Sequence, residues 1–261
     1  MADTLADTLR HTIGRYGWIP DLPDVRDRTY QAPRPTGPLP KATDLRAGCP
    51  PVYDQGDLGS CTANAIGAAV EFDERKQKIR QPYTPSRLFI YYNERALEGT
   101  IATDSGAMIR DGIKVVAGQG TCPEPMWPYV PAKFADRPPA PCYKVGKTHP
   151  AVQYTRLPQD LAQLKACLAS GYPFVFGFTV YESLESDQVA HSGVVPMPDP
   201  AETSLGGHAV MAAGYDDASS RFLVRNSWGA SWGMGGYFTI PYAYLTNADL
   251  AADFWTIRLV R

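Results

Sequence analysis

The chain has 261 residues, 44% of them hydrophobic and 20% charged, with a formal net charge of -2 at neutral pH. This is the composition of an ordinary globular protein with room for one large domain or two lobes. It lacks the basic footprint of a nucleic-acid binder or of a protein drawn to anionic membranes. Neither an apolar run of membrane-spanning length nor a GxxxxGK phosphate loop occurs.

In chain order, residues 1–40 show little periodicity beyond a short helix expected at the start. Pro20, Pro23, Pro33, Pro35, Pro38 and Pro40 break regular structure, so this segment reads as an arm. Its middle, Tyr16-Gly-Trp-Ile-Pro-Asp-Leu-Pro-Asp-Val-Arg-Asp27, mixes apolar anchors with acids, unlike a freely disordered tail. Two readings stay open: Trp18, Ile19 and Leu22 dock on the domain surface, or part of the arm lies in cis over a cleft. Met1 to Arg15 has no apolar core of a secretory signal, so cytoplasmic localisation is the default expectation, with export by a signal-less route left open.

Residues 54–64, Asp-Gln-Gly-Asp-Leu-Gly-Ser-Cys-Thr-Ala-Asn, place a glutamine six positions before a cysteine. The apolar spacing of Ala63, Ile66, Ala69, Val70 and Phe72 predicts a helix opened by Cys61, with Ser60 as its N-cap. The helix macrodipole and free N–H groups at that end favour thiolate over thiol, so Cys61 is a candidate nucleophile. Gln55 and the Cys61 N–H are candidate oxyanion donors. A lone buried cysteine is otherwise ordinary packing, so the reading requires a base elsewhere in the chain.

Thr84-Pro85 predicts the start of a second helix running to Gly99, and a third is expected from about Gly106 to Val116. The proline-rich stretch 120–150 reads as an irregular crossing. After an amphipathic helix over Gln159–Ser170, five short β-branched and aromatic runs follow: 174–180, 208–215, 221–226, 236–241 and 254–260. A helical half before a stranded half, without βαβ alternation, gives an α+β class. The expected organisation is an arm (1–40) and a catalytic domain (41–261), the latter divided into a helical part (41–120), a crossing (121–150) and a mainly β part (151–261).

Imidazole serves as base and then acid near neutral pH. His191 and His208 lie 130 and 147 residues after Cys61, so spacing does not choose between them. Context favours His208, which follows Gly206-Gly207 at the head of an apolar strand, whereas His191 sits in what reads as a solvated loop. Eighteen residues on, Asn226 ends the next strand, where an antiparallel neighbour would bring its amide oxygen to the imidazole, with Trp228 covering the bond. Five cysteines, no CxxC and four histidines disfavour zinc, and no cofactor is called for. A Cys122–Cys142 disulfide is possible by position but disfavoured in a chain without a signal.

Gln55-Gly56 with Gly59-Ser60-Cys61, Gly207-His208-Ala209-Val210 with Gly214-Tyr215, and Asn226-Ser-Trp-Gly229 followed by Trp232-Gly233 and Gly236-Tyr237 together resemble the papain family of cysteine peptidases from about residue 45 to the C-terminus. The resemblance implies a helical left lobe carrying Cys61, an antiparallel β-barrel-like right lobe carrying His208 and Asn226, and a cleft between them. It implies Cys61 as nucleophile, His208 as base and acid, Asn226 as orienter and Gln55 as oxyanion donor, with a peptide or protein as substrate. By position in that family, Gly59, Ser105, Gly106 and Trp228 touch substrate, and Ala107, Met108, Gly206 and Gly207 line an apolar second subsite. The floor of that subsite is expected from Tyr244 to Asp249, where Asp249 or another acid would admit a basic residue. The sequence departs from plant and animal members at Leu58, where they have a disulfide cysteine, and at Thr62, where they have tryptophan. Its arm resembles that of short bacterial members. The activity expected is endopeptidase, with exopeptidase, acyl transferase or a non-catalytic binding module as alternatives.

Overall fold

The computed structural model describes residues 16–31, 37–78, 82–148 and 151–260, with the side chains of 151, 152 and 260 left aside. The short helix expected at the very start lies outside them. The first helix, α1 (Cys61–Lys76), is rich in alanine, the best helix former, and is buried on every side from Cys61 to Glu74. It is therefore a central helix rather than a surface one. Ser60 precedes it without a side-chain cap. Its hydroxyl instead pairs with Tyr129 at 2.5 Å and accepts from Asn64 Nδ2 at 3.0 Å.

Helix α2 (Arg87–Glu98) starts at Ser86, which accepts from the Phe89 N–H at 3.2 Å, rather than at the expected Thr84. It ends at Gly99, whose φ of 74° is the left-handed conformation that glycine adopts without strain. Helix α3 (Ile109–Gln119) begins later than expected because Ala107–Met108 is extended and pairs in parallel with Trp18–Ile19. These two short strands are β1 (Trp18–Ile19) and, after β2 (Ala42–Asp44), β3 (Ala107–Met108). The crossing is not wholly irregular, since α4 (Ala140–Gly146) forms behind Pro139.

The β half contains β4 (Ala151–Arg156), β5 (Phe174–Tyr181), β6 (Ser204–Asp216), β7 (Arg221–Arg225), β8 (Tyr237–Pro241) and β9 (Ala251–Val260). They form one sheet in the order β4-β9-β5-β6-β7-β8, with β2 also on β6 and every pair antiparallel. Among the described residues no pair joins β4 to β8, so the sheet is not a closed barrel, and barrel-like describes it only loosely. Strand β4 was missed behind the prolines. Helix α5 (Leu161–Ala169) is capped by Asp160, and two short helices, α6 (Asp187–Ser192) and α7 (Tyr242–Thr246), fill loops.

One apolar cluster includes Cys61 and Ile66 of α1, Val175 of β5, Ala209 of β6, and Trp255 and Ile257 of β9. The N-terminal end of α1 is thus packed directly on the strand that carries His208.

Candidate active site

His208 is held from two sides. Pairing with Phe178 and the neighbouring β7 ladder fixes its place on β6. Its Nε2 lies 2.9 Å from Asn226 Oδ1, at the end of β7. Asn226 is itself positioned, because its N–H donates to the Gly236 carbonyl and its Oδ1 also accepts the Ser227 N–H at 2.9 Å. The Trp228 ring stacks on the imidazole with centroids 5.0 Å apart and lies buried beside the Asn226 bond. His191 is elsewhere: it sits in α6, exposed, with Nδ1 against the Asp187 carbonyl.

Cys61 is buried at the start of α1, where N–H groups of Ala209, Gly17 and Thr62 face its sulfur. Ala209 directly follows His208, so thiol and imidazole share one corner of the molecule. Burial pushes the Cys61 thiol up to about 12, and those three N–H groups only partly offset it. The expectation of a depressed thiol is therefore not met in this form, in which desolvation outweighs the helix end.

Gln55 is fully buried and fixed at both ends of its amide. Its Nε2 donates to the Leu58 carbonyl at 3.0 Å and its Oε1 accepts from Ser227 Oγ at 2.6 Å. Tyr129 Oη donates to the Gln55 carbonyl at 2.9 Å and touches Ser60, locking the loop before Cys61. Gly59 donates its N–H to both oxygens of Asp104 at 3.1 Å, and Asp104 in turn is hydrogen-bonded by Tyr91 Oη. Gly106 donates to the same Tyr91 oxygen at 3.2 Å, which ties the Gly59 loop to the Ser105-Gly106 corner. Ser105 turns its hydroxyl to the Gly106 carbonyl.

Arm residues fill the corner. The Gly17 carbonyl accepts the Ala107 N–H at 2.8 Å, and a methyl group on Gly106 would lie 2.2 Å from the Gly17 oxygen. Trp18 lies against Gly177 and Gly207, where a methyl on either would come within 2.0 and 2.7 Å of the indole. Met108 pairs with Ile19. Tyr16 packs on Gly206 and edge-on to His208, and its hydroxyl bonds Glu185. Asp249, the acid expected near the second subsite, is exposed on a turn after α7. The acid beside Trp18 is Asp253, whose Oδ2 accepts the indole N–H at 3.2 Å. Asp104 and Tyr91 carry no sequence signal as parts of the site, whereas Ser227 lies within Asn226-Ser-Trp-Gly229 and Tyr129 within Trp127-Pro128-Tyr129, a lesser echo of the same family.

The family model described as papain family cysteine protease matches residues 39–253. The chain belongs to the papain family of cysteine proteases. An uncharacterized peptidase C1-like protein of Acanthamoeba polyphaga mimivirus is 48% identical over 215 residues, covering 79% of this chain and 69% of that protein. Cathepsin B-like CP3 of Giardia intestinalis is 32% identical, covering 73% of this chain and 64% of that protein. Among solved structures, xylellain, a cysteine protease from Xylella fastidiosa, superposes with a TM-score of 0.90 at 45% identity, covering 97% of this chain and 98% of that one. This papain-family protein is a cysteine peptidase, a hydrolase of peptide bonds. The two-lobe papain-like fold expected from the sequence is the fold found.

All five cysteines are free thiols. Cys122 and Cys142 lie side by side in the crossing, unbridged, and burial together with its neighbour Cys142 pushes the Cys122 thiol up.

Proposed function

We propose that this cysteine peptidase is an endopeptidase in which Cys61 is the nucleophile, His208 the base and acid, Asn226 the orienter and Gln55 an oxyanion donor, and that residues 16–19 of the arm keep it closed in cis. The observation carrying the catalytic assignment is the 2.9 Å contact of His208 Nε2 with Asn226 Oδ1 beside a sulfur faced by the Ala209 N–H. With Nε2 held by Asn226, Nδ1 is the nitrogen that exchanges a proton with Cys61.

In the reaction, His208 Nδ1 takes the Cys61 proton and the thiolate attacks the substrate carbonyl carbon, forming a C–S bond. The carbonyl oxygen takes the negative charge, which the second Gln55 amide hydrogen and the Cys61 N–H stabilise. Collapse breaks the C–N bond as His208 gives its proton to the departing amine. Water then attacks the thioester, His208 takes its proton and returns it to sulfur, and the acid leaves.

The arm supports closure by its polarity. Gly17 offers sulfur an N–H, while its carbonyl points away to Ala107. The Gly17 carbonyl is thus turned from the nucleophile, so the segment fills the site without being cut after Gly17. A hydrophobic second residue before the cut fits the place held by Trp18, between Ala107 and Gly207.

Hydrolysis of a blocked dipeptide reporter, phenylalanine before arginine, tests both parts on the full chain and its Tyr16→Ala/Trp18→Ala variant. Faster hydrolysis by the variant, abolished by one epoxysuccinyl inhibitor per chain, is expected. Equal rates would remove the closing role, and inactivity of both with Cys61 unlabelled would remove the catalytic one.

A further inference from the structure

Two loops, 55–60 and 101–106, meet beside Cys61, and nothing covalent joins them, since all five cysteines are free thiols. Their tie is a chain of hydrogen bonds. The Gly106 N–H donates to Tyr91 Oη at 3.2 Å, Tyr91 donates in turn to Asp104 Oδ1, and the Gly59 N–H donates to both Asp104 oxygens at 3.1 Å. Glycine at 59 permits this approach, because a methyl there would lie 3.0 Å from Oδ1. The loop that carries Asp104 is itself braced by Arg95. Its Nη1 donates to the Ile101 carbonyl at 2.7 Å and to the Thr103 carbonyl at 3.0 Å, and its guanidinium lies 4.0 Å from the centre of the Tyr91 ring.

The Gly59 N–H belongs to the same planar peptide unit as the Leu58 carbonyl, so whatever orients one orients the other. That carbonyl accepts from Gln55 Nε2 at 3.0 Å and from the Ser60 N–H at 2.7 Å. One hydrogen of the Gln55 amide is thereby held by Leu58, which aims the second, while Ser227 Oγ holds Gln55 Oε1 at 2.6 Å. Asp104 therefore grips the donor side of the peptide whose acceptor side grips Gln55. Without a carboxylate at 104, rotation of the 58–59 peptide turns its carbonyl off Nε2 and lets the amide swing about the Ser227 contact.

Resting on the peptidase reading above, we infer that Asp104 is a positioning residue for the oxyanion site, acting through the Leu58–Gly59 peptide to aim Gln55 without touching the reacting atoms. A carboxylate suits the place because it accepts from donors on both sides at once and has no hydrogen of its own to direct at either. Its charge strengthens both bonds, and the Arg95 guanidinium lies within electrostatic reach to offset it. An oxyanion donor contributes only where it is aimed at the developing charge, so a displacement of about 1 Å removes much of its effect. The loss falls on carbonyl addition and not on the thiol, whose N–H neighbours are those of Ala209, Gly17 and Thr62.

The test uses the full chain carrying Tyr16→Ala/Trp18→Ala as reference, so that substrate reaches the site, with the phenylalanine–arginine reporter. Adding Asp104→Ala is expected to lower kcat by about 10- to 100-fold, up to the loss for removing one oxyanion donor, with KM changed by less than about 3-fold. Asp104→Asn, which keeps one acceptor oxygen, is expected to lose less and to show the same pattern. Alkylation of Cys61 by iodoacetamide passes through no carbonyl addition and is expected to keep its rate in both variants, while epoxysuccinyl titration counts the folded, competent fraction. In a Gln55→Ala background, Asp104→Ala is expected to cost less than about 3-fold more, because the donor it aims is already gone. Penalties that multiply in the double variant, an Asp104→Ala kcat equal to the reference, or hydrolysis and alkylation falling together would overturn the inference. No cleavage by the reference protein with Cys61 unlabelled would overturn the peptidase reading itself, and this inference with it.

Discussion

The backbone N–H of Gly17 faces the sulfur of Cys61, in a contact that helps bury the thiol. The same residue gives its carbonyl to Ala107, so a single glycine joins the arm to both the nucleophile and the β3 edge. A side chain could not replace it: a methyl on Gly17 would lie 1.7 Å from the Gly59 oxygen.

The raised Cys61 thiol predicts slow alkylation of the full chain. With its pKa pushed up to about 12, only a small fraction is thiolate at pH 8. Iodoacetamide labelling across pH 6–9 is expected to accelerate at least ~10-fold in Tyr16→Ala/Trp18→Ala, as water reaches the site and desolvation falls. Identical profiles for the two proteins would show that the arm does not set the reactivity of the thiol.

Asn226→Ala removes the partner of His208 Nε2 and frees the ring to rotate. The expected effect is a fall in kcat of about 10- to 100-fold or more with little change in KM, as for a group that acts through the histidine. Asn226→Asp, keeping an acceptor, is expected to recover part of the loss. Steady-state kinetics checks both.

Asp21 gives arm docking a pH dependence of definite sign. Burial first, then the Asp253 carboxylate, pushes Asp21 up to about 6, against opposing contacts from the Arg110 N–H and the Trp255 indole. Arg156 stands 3.9 Å away, and Asp27 shares both arginines. Because the docked value exceeds the ordinary one, Asp21 favours docking fully below about pH 4 and progressively less as pH rises through about 6. Hydrogen exchange at Ala107, corrected for its intrinsic rate, is expected to show weaker protection at pH 8 than at pH 5. Asp21→Asn should flatten that difference, and an unchanged slope in the variant would assign it to another group.

Arg87 holds the Gln55 loop. Its guanidinium binds both Glu124 oxygens at 2.6 and 2.8 Å, Asn64 Oδ1 at 3.0 Å and the Asp54 carbonyl at 3.1 Å, and lies over the rings of Tyr53 and Tyr129. Arg87→Ala leaves Glu124 without its partner and is expected to cost about 3–5 kcal/mol, read by denaturant unfolding. Arg87→Lys is expected to recover little, because a point charge cannot reproduce the planar fork.

The catalytic candidates were legible because each depends on local pattern. A cysteine opening a helix, a histidine after two glycines and an asparagine ending the next strand are visible in sequence, and the sheet register brings the last two together. What supports them was not legible, since Asp104, Tyr91 and Tyr129 act across 13 to 74 residues of chain. Helix starts shifted for local reasons: Ser86 caps α2, and Ala107–Met108 is drawn into extended pairing with the arm. A helix end alone favours thiolate at Cys61, whereas burial, which no local pattern reveals, pushes the thiol the other way. Asp253 was hidden because a bulge, not strand alternation, decides where it points.

The most direct measurement is active-site titration of the full chain with an epoxysuccinyl inhibitor during hydrolysis of the phenylalanine–arginine reporter, wild type beside Cys61→Ala and Tyr16→Ala/Trp18→Ala. The account predicts no hydrolysis by Cys61→Ala, slow hydrolysis by wild type, and faster hydrolysis by the arm variant that stops at one inhibitor per chain. Hydrolysis that survives Cys61→Ala would contradict it.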